Sequence, residues 1–274
     1  IPKGRISMAK FTCTFISYTL KRTVDITVVI PSVTIPESMG MTLPEGQKPR
    51  HQKKDKYPVL YLLHGMGNNH AQWTGYTNVE LFAEEKNIAV VMMSAENKSY
   101  VNIYGDNFFD FVSEELPDFV KGMFPISDRP EDTFIAGLSM GGFGTLVHGF
   151  SHPERFAAMG AFSAAVQLNP YSLAGGAGTE ALEPNPDYDP LTLLKKDVAE
   201  GKKLPKLYIA CGENDFLFEA NKAFVEEIKG LGIPVETDFV PGYTHEWRFW
   251  NLEVEKFLNW IPRSDAFAGA KRQV

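Results

Sequence analysis

Cysteine and long apolar runs are both scarce in this sequence of 274 residues. Its only cysteines, Cys13 and Cys211, lie in separate predicted strands and are interpreted as buried free thiols. Two such residues supply neither a disulfide framework nor a set of metal ligands. The longest strongly apolar run, residues 88–93, is far too short to span a bilayer, and no signal-peptide pattern is present. A soluble, cytoplasmic protein is therefore expected.

Positive charge is also scarce. The 27 Lys and Arg residues are outnumbered by 34 Asp and Glu residues, giving a formal net charge of −7. The basic residues within 48–56 follow a proline-bearing and glycine-bearing stretch, as expected of a solvated loop. Neither nucleic acid nor a membrane is expected as a partner. The partner expected from the catalytic residues described below is a small-molecule ester substrate. Whether the chain forms a homo-oligomer is left open.

The hydrophobic content is 44%, enough for a chain of this length to bury one large core. We expect a single α/β domain over residues 8–262, because no repeat or linker divides the chain. Residues 1–7 match no following pattern and are interpreted as a cloning remnant, with Met8 as the natural start.

Strand and helix patterns alternate along most of the chain. Two β-rich segments, 11–20 and 23–30, predict an antiparallel entry to a sheet. The later alternation of apolar strands with helices is typical of parallel construction. The further predicted strands are 57–63, 88–93, 133–136, 157–162, 206–211 and 235–240, and the predicted helices are 78–85, 107–123, 140–150, 218–229 and 246–261. Residues 166–204 read as an irregular insertion, which we expect to act as a lid or binding loop.

The stretch Gly137-Leu138-Ser139-Met140-Gly141 fits the pattern G-x-S-x-G between a predicted strand and a predicted helix. A serine on such a tight turn projects its hydroxyl from the sheet edge at a helix N-terminus. The two glycines leave room for the neighbouring strand and helix. The alternative is a glycine-rich structural turn, so the remaining residues have to decide between the two.

A nucleophilic serine needs a base and a carboxylate that orients the base. His245 follows the last predicted strand and Asp215 follows the strand before it, so both belong to the edge that carries Ser139. Glu213 is the alternative acid. The order serine, acid, histidine, each after its own strand, strengthens the assignment.

An acyl-transfer site also needs hydrogen-bond donors for the oxyanion. One expected donor is the backbone N–H of Met140, directly after the serine. The other is assigned to Met66, with Gly65 as the alternative, in the loop after strand 57–63. His64 is expected to brace this loop. No metal or organic cofactor is required for this chemistry.

Four blocks together resemble the esterase D-like branch of the α/β hydrolases, which includes tributyrin esterases, S-formylglutathione hydrolases, feruloyl esterases and mycolyltransferases. The blocks are residues 62–67, 136–144, 212–217 and 242–245. The resemblance implies an α/β-hydrolase fold, a mostly parallel sheet flanked by helices with an antiparallel start. It also implies Ser139 as nucleophile, His245 as base and Asp215 as acid. The loop after Leu63 lacks the cysteine usual in S-formylglutathione hydrolases, which favours a tributyrin-like or aryl-ester hydrolase.

The predicted activity is therefore hydrolysis of short-chain acyl or aryl esters through an acyl-enzyme. Trp73, Tyr104 and Trp247 are candidates for an apolar substrate pocket. The alternatives left open are an S-formylglutathione-type thioesterase, an acyltransferase and a noncatalytic binding protein on the same fold.

Overall fold

A central sheet of eight strands organises the computed structural model, which describes residues 9–40, 56–103, 105–166, 185–272 and 274. The strand order is β1-β2-β4-β3-β7-β8-β9-β10, and a separate short hairpin is formed by β5 and β6. The strands are β1 Ala9–Ser17, β2 Arg22–Ile30, β3 Val59–Leu63, β4 Ala89–Met93, β5 Asn102–Ile103, β6 Asp106–Asn107, β7 Thr133–Leu138, β8 Ala158–Phe162, β9 Lys206–Gly212 and β10 Val235–Val240.

The first strands run antiparallel and the others run parallel, as the sequence predicts. β1 pairs with β2, and β2 with β4, in antiparallel fashion, whereas every pairing from β4 through β3 to β10 is parallel. Parallel strands present their carboxyl ends at one edge, so the loops after β3, β7, β9 and β10 meet there.

Helices cover both faces of the sheet. They are α1 Ile35–Ser38, α2 Gln72–Tyr76, α3 Val79–Lys86, α4 Phe108–Asp110, α5 Leu116–Met123, α6 Met140–Ser151, α7 Pro190–Ala199, α8 Phe218–Gly230 and α9 Trp247–Trp260, with a π-helical turn Phe111–Glu115 between α4 and α5. One core packs α5, α6, α7 and α8 on one face, and a second packs α2, α3 and α9 on the other. β3 is buried along its whole length because both cores cover it.

The predicted first strand is too long at its carboxyl end. β1 stops at Ser17 because the Glu115 carboxylate accepts hydrogen bonds from the Ser17 hydroxyl and from the amides of Tyr18 and Thr19. Those amides are then unable to extend the ladder with β2. Burial also differs from the expectation for Cys13, which is half-buried in this edge strand.

Part of the insertion expected to be irregular is helical. Asp189 caps α7 by accepting a hydrogen bond from the Thr192 amide at 2.8 Å, and Pro190 occupies its first turn. The apolar side of α7 buries Leu194, and the helix packs against α6. Residues 167–184 lie outside the described residues, so the lid assignment stays a prediction.

Packing also continues past the expected domain boundary at residue 262. Arg272 is fully buried and donates to the Glu84 carboxylate and to the backbone carbonyls of Ser32 and Glu84. The C-terminal segment therefore belongs to the folded unit, a contact that sequence periodicity does not reveal.

Candidate active site

Ser139 stands at the turn between β7 and α6 with φ 54° and ψ −116°. A positive φ is unfavourable for a residue with a β-carbon, and such strain persists only where the surroundings impose it. Here the Ser139 amide donates to the Phe162 carbonyl at 2.9 Å, and the Ser139 carbonyl accepts from the amides of Phe143 and Ala165. The backbone is thus held on both sides, and the partly exposed side chain is presented at the carboxyl edge.

The glycines of the motif are required by close approach. A β-carbon on Gly141 would lie 2.5 Å from the Leu63 carbonyl oxygen and 2.6 Å from that of His64. A β-carbon on Gly137 would collide with the backbone of Gly141. Both substitutions would force β7, α6 and the end of β3 apart, so the pattern predicted from sequence corresponds to a sterically closed turn.

Ser139, His245 and Asp215 form a continuous hydrogen-bonded series. His245 Nε2 lies 3.1 Å from Ser139 Oγ, and His245 Nδ1 lies 2.8 Å from Asp215 Oδ2. An ionised carboxylate only accepts hydrogen bonds, so Nδ1 carries the proton and Nε2 is left to accept one from the serine hydroxyl. The exposed Glu213, the alternative acid, has no part in this series.

Asp215 stays ionised despite complete burial of its side chain. Burial raises its pKa, but hydrogen bonds from His245, from the Leu217 amide and from the Ser163 hydroxyl outweigh that effect and leave the pKa below its ordinary value. A carboxylate that stays charged can hold the neighbouring imidazole in one tautomer and one orientation.

The loop after β3 is fixed by His64. The Nε2 atom of this buried ring accepts a hydrogen bond from the Ala95 amide at 2.9 Å, so Nδ1 carries the proton and donates to the Gly65 carbonyl at 2.7 Å. Burial lowers the pKa of His64 to about 4, which keeps the ring neutral. The hydroxyl of the buried Tyr100 donates to the His64 carbonyl at 2.8 Å. His64 therefore braces the loop, as expected from the sequence.

This bracing orients the next peptide unit. The carbonyl and N–H of a trans peptide point in opposite directions, so the Met66 N–H points away from the His64 ring. A β-carbon on Gly65 would lie 3.4 Å from Ser139 Cβ, which places the loop beside the serine. Within the described parts of the chain, the amides of Met66 and Met140 donate no hydrogen bond to protein. Both N–H groups are thus available to an oxyanion.

Comparisons with known proteins identify the family of this chain. The model of the family named Esterase matches residues 36–260, which is most of the chain. The chain belongs to this esterase family. An acetyl esterase of Caldicellulosiruptor saccharolyticus is 28% identical over 275 residues, covering 93% of this chain and 99% of that protein.

Two solved structures from Staphylococcus aureus are similar over nearly their whole length. FphF, a fluorophosphonate-binding serine hydrolase in a substrate-bound state, is 30% identical with a TM-score of 0.78, covering 93% of this chain and 98% of that chain. The S-formylglutathione hydrolase FrmB is 30% identical with a TM-score of 0.77, covering 95% and 98%. The α/β-hydrolase fold and the class of serine carboxylic ester hydrolase are thereby confirmed for this esterase.

One expected pocket residue of the esterase is placed differently. Trp73 is fully buried, its Nε1 donates to the Leu63 carbonyl at 3.0 Å, and its ring meets Trp247 edge-on. It supports the end of β3 from the core side, and the prediction that it touches substrate is wrong. Trp247 is half-buried and stacks on the exposed Tyr76 at 5.1 Å between ring centroids, so its role in substrate binding stays a prediction. Tyr104 lies outside the described residues.

The sequence did not predict three residues that surround Asp215 and His245. The Ser163 hydroxyl contributes to the surroundings of Asp215 and accepts a hydrogen bond from Trp250 Nε1 at 3.3 Å. Trp250 in turn meets the His245 ring edge-on, and Phe216 packs on the same ring with centroids 4.7 Å apart. Ser163 follows β8, so its position at the carboxyl edge was a usable signal. The aromatic contacts depend on tertiary packing alone.

Across the described ranges, no set of three or more His, Cys, Asp and Glu side chains is arranged to bind a metal ion. Among the same residues, no helix has the length and apolar character needed to cross a membrane.

Proposed function

We propose that this esterase hydrolyses short-chain acyl or aryl esters, of acetyl or feruloyl type, through an acyl-enzyme on Ser139. The observation that carries the proposal is the series from Ser139 Oγ to His245 Nε2 at 3.1 Å and from His245 Nδ1 to Asp215 Oδ2 at 2.8 Å. The serine is held at a strained, partly exposed turn, as suits an attacking group.

In the acylation step, His245 Nε2 takes the proton of Ser139 as Oγ attacks the ester carbonyl carbon. The carbonyl π electrons move to oxygen, where the amides of Met66 and Met140 donate to the resulting oxyanion. The carbonyl then re-forms, the bond to the alcohol oxygen breaks, and that oxygen takes the proton from His245. Asp215 stabilises the positively charged ring between the two transfers.

Deacylation repeats these steps with water. His245 removes a proton from the water as its oxygen attacks the acyl carbon, and collapse of the second tetrahedral intermediate releases the acid and returns the proton to Ser139 Oγ. Every proton that moves is handled by His245. Support for the acetyl end of the proposed range comes from the relative named acetyl esterase.

The test compares release of p-nitrophenol from acyl esters, acetate through decanoate, with release of ferulate from a feruloyl ester. Ser139→Ala should lower kcat/KM by about 10⁴-fold or more, because the attacking hydroxyl is removed. The exposed Ser264 supplies a matched control, and Ser264→Ala should retain parental activity. Near-parental turnover by Ser139→Ala would refute the assignment, and the chain-length profile would measure the acyl pocket.

Thioester hydrolysis is the second candidate, favoured by the similarity to the S-formylglutathione hydrolase at 30% identity over 95% of this chain. The same serine mechanism applies, with a thiol as leaving group. Parallel assays with S-formylglutathione, ethyl thioacetate and ethyl acetate separate the two substrate classes. A kcat/KM for S-formylglutathione far above that for every oxygen ester would favour the thioester.

A further inference from the structure

Phe216 is an exposed aromatic residue next to the groups that move protons. Its side chain is 77% exposed, although burying an aromatic ring stabilises a folded protein. Single exposed apolar side chains are common and need no explanation by themselves. The location of Phe216 is what distinguishes it, because it follows Asp215 directly and its ring packs on that of His245 with centroids 4.7 Å apart.

The backbone presents Phe216 rigidly. The Asp215 carboxylate accepts a hydrogen bond from the Leu217 amide at 2.9 Å, and the Asp215 carbonyl accepts one from the Phe218 amide at 3.0 Å. The Asn214 amide donates to the Tyr243 carbonyl, which ties this turn to the loop that carries His245. The backbone that carries the exposed ring is therefore held in a bonded turn, so little backbone entropy remains to be lost when the ring contacts a ligand.

The chemistry identifies which part of a substrate reaches this ring. As the tetrahedral intermediate collapses, the departing alcohol oxygen takes a proton from His245 Nε2, so it has to lie within hydrogen-bond reach of that atom. The carbon substituent of the alcohol is bonded to that oxygen and therefore begins beside the imidazole ring. Phe216 is the highly exposed apolar side chain in direct contact with that imidazole among the described residues.

We infer that Phe216 forms the subsite for the alcohol portion of the ester and makes this enzyme selective for apolar, ring-containing alcohols. The inference rests on the proposed function and adds the leaving-group class to it. An aromatic alcohol gains a ring contact and buries apolar surface on Phe216, whereas ethanol or methanol gains little. The acyl substituent is bonded to the carbonyl carbon and not to the leaving oxygen, so the inference concerns the alcohol alone.

The first experiment varies the alcohol at a fixed acetyl group, with benzyl acetate and ethyl acetate as substrates. Phe216→Ala should lower kcat/KM about tenfold for benzyl acetate and less than twofold for ethyl acetate, while Phe216→Tyr retains selectivity. Tyr18→Ala, which removes an aromatic side chain 71% exposed on the N-terminal hairpin, is the matched control and should leave both values unchanged. Equal losses for both esters would overturn the inference and indicate that Phe216 only positions His245.

The second experiment tests the same subsite during deacylation, when an added alcohol acts as the acceptor instead of the leaving group. With p-nitrophenyl acetate as donor, added benzyl alcohol competes with water for the acetyl-enzyme and forms benzyl acetate. Phe216→Ala should lower the ratio of benzyl acetate to acetate about tenfold and leave the methyl acetate ratio from added methanol unchanged. An unchanged benzyl ratio would overturn the inference. Turnover by Ser139→Ala would instead overturn the proposed function, so the two failures are distinguishable.

Discussion

Two carboxylates near β9 are buried equally and behave in opposite ways. Asp215 follows the carboxyl end of β9, and Glu253 projects from α9 onto Tyr208 of the same strand. Both side chains are 0% exposed. The pKa of Asp215 is nevertheless lowered, whereas that of Glu253 is raised to about 7.

The neighbours of the two groups explain the difference. Burial raises both pKa values, but Asp215 receives hydrogen bonds from a histidine ring, a backbone amide and a serine hydroxyl, which favour its charged form. Glu253 receives hydrogen bonds from Tyr208 and Lys256, yet the nearby carboxylate of Asp238 repels a second negative charge. Burial alone therefore does not determine which acid remains charged. The balance between hydrogen-bond donors and neighbouring negative charge decides it.

The largest expected effect follows from replacing each acid by its amide. Asp215→Asn should lower kcat/KM for p-nitrophenyl acetate by about 10³–10⁴-fold, because a neutral amide neither fixes the required histidine tautomer nor stabilises the imidazolium. Glu253→Gln should retain activity within a few-fold. Comparable losses in both variants, at preserved far-UV circular dichroism, would contradict the assignment of Asp215 as the acid partner of His245.

Glu253 and Asp215 should make the free energy of unfolding depend on pH in opposite directions. Between pH 4.5 and 7 the native Glu253 binds more protons than its unfolded counterpart, so the free energy of unfolding falls as pH rises through that window. Relative to Glu253→Gln, the parent should lose stability on the order of 3 kcal/mol from pH 5 to pH 8, measured by urea unfolding.

Asp215 supplies the opposite case for the same measurement. Its lowered pKa contributes stability that is present above the usual aspartate range and is lost as pH falls below it. The parent should therefore lose stability relative to Asp215→Asn only in acid. A parallel pH dependence of both differences would refute the contrast.

The smallest expected effect is that of removing the Tyr208 hydroxyl, which donates from β9 to Glu253. Tyr208→Phe removes the hydroxyl that donates to Glu253 at 2.8 Å and should lower stability by about 1 kcal/mol. Because this hydrogen bond lowers the pKa of Glu253, its loss should move the pH-dependent fall in stability to higher pH. Esterase activity should be unchanged. An unshifted pH profile would show that Tyr208 does not tune Glu253.

The site was predictable from sequence to the extent that it depends on strand ends. Ser139, Asp215 and His245 each follow a predicted strand, and parallel pairing necessarily gathers such residues at one edge. The brace role of His64 followed from the same logic. Trp73 was misassigned because an aromatic residue near a sheet edge fits either a pocket or a core, and only the packing of α9 against it decides between them.

Local patterns also missed elements that depend on distant partners. The end of β1 is determined by Glu115, about 100 residues away in sequence, because its carboxylate captures the turn amides. The sequence of α7 carries only a short signal for a capped first turn. The helix is stabilised by burying Leu194 in the core. Arg272 reaches Glu84 only in the folded chain.

By itself, the sequence determined the alternation of strands and helices, the serine turn and the order of the three site residues, because these follow from periodicity, glycine sterics and strand polarity. The tertiary structure alone decided the protonation of the buried groups and the surroundings of the reacting atoms. Whether Asp215 or Glu253 stays charged, and which aromatic ring is exposed beside His245, depends on neighbours that lie far apart in the chain. Desolvation and hydrogen-bond donors act through space, so these properties exist only after folding.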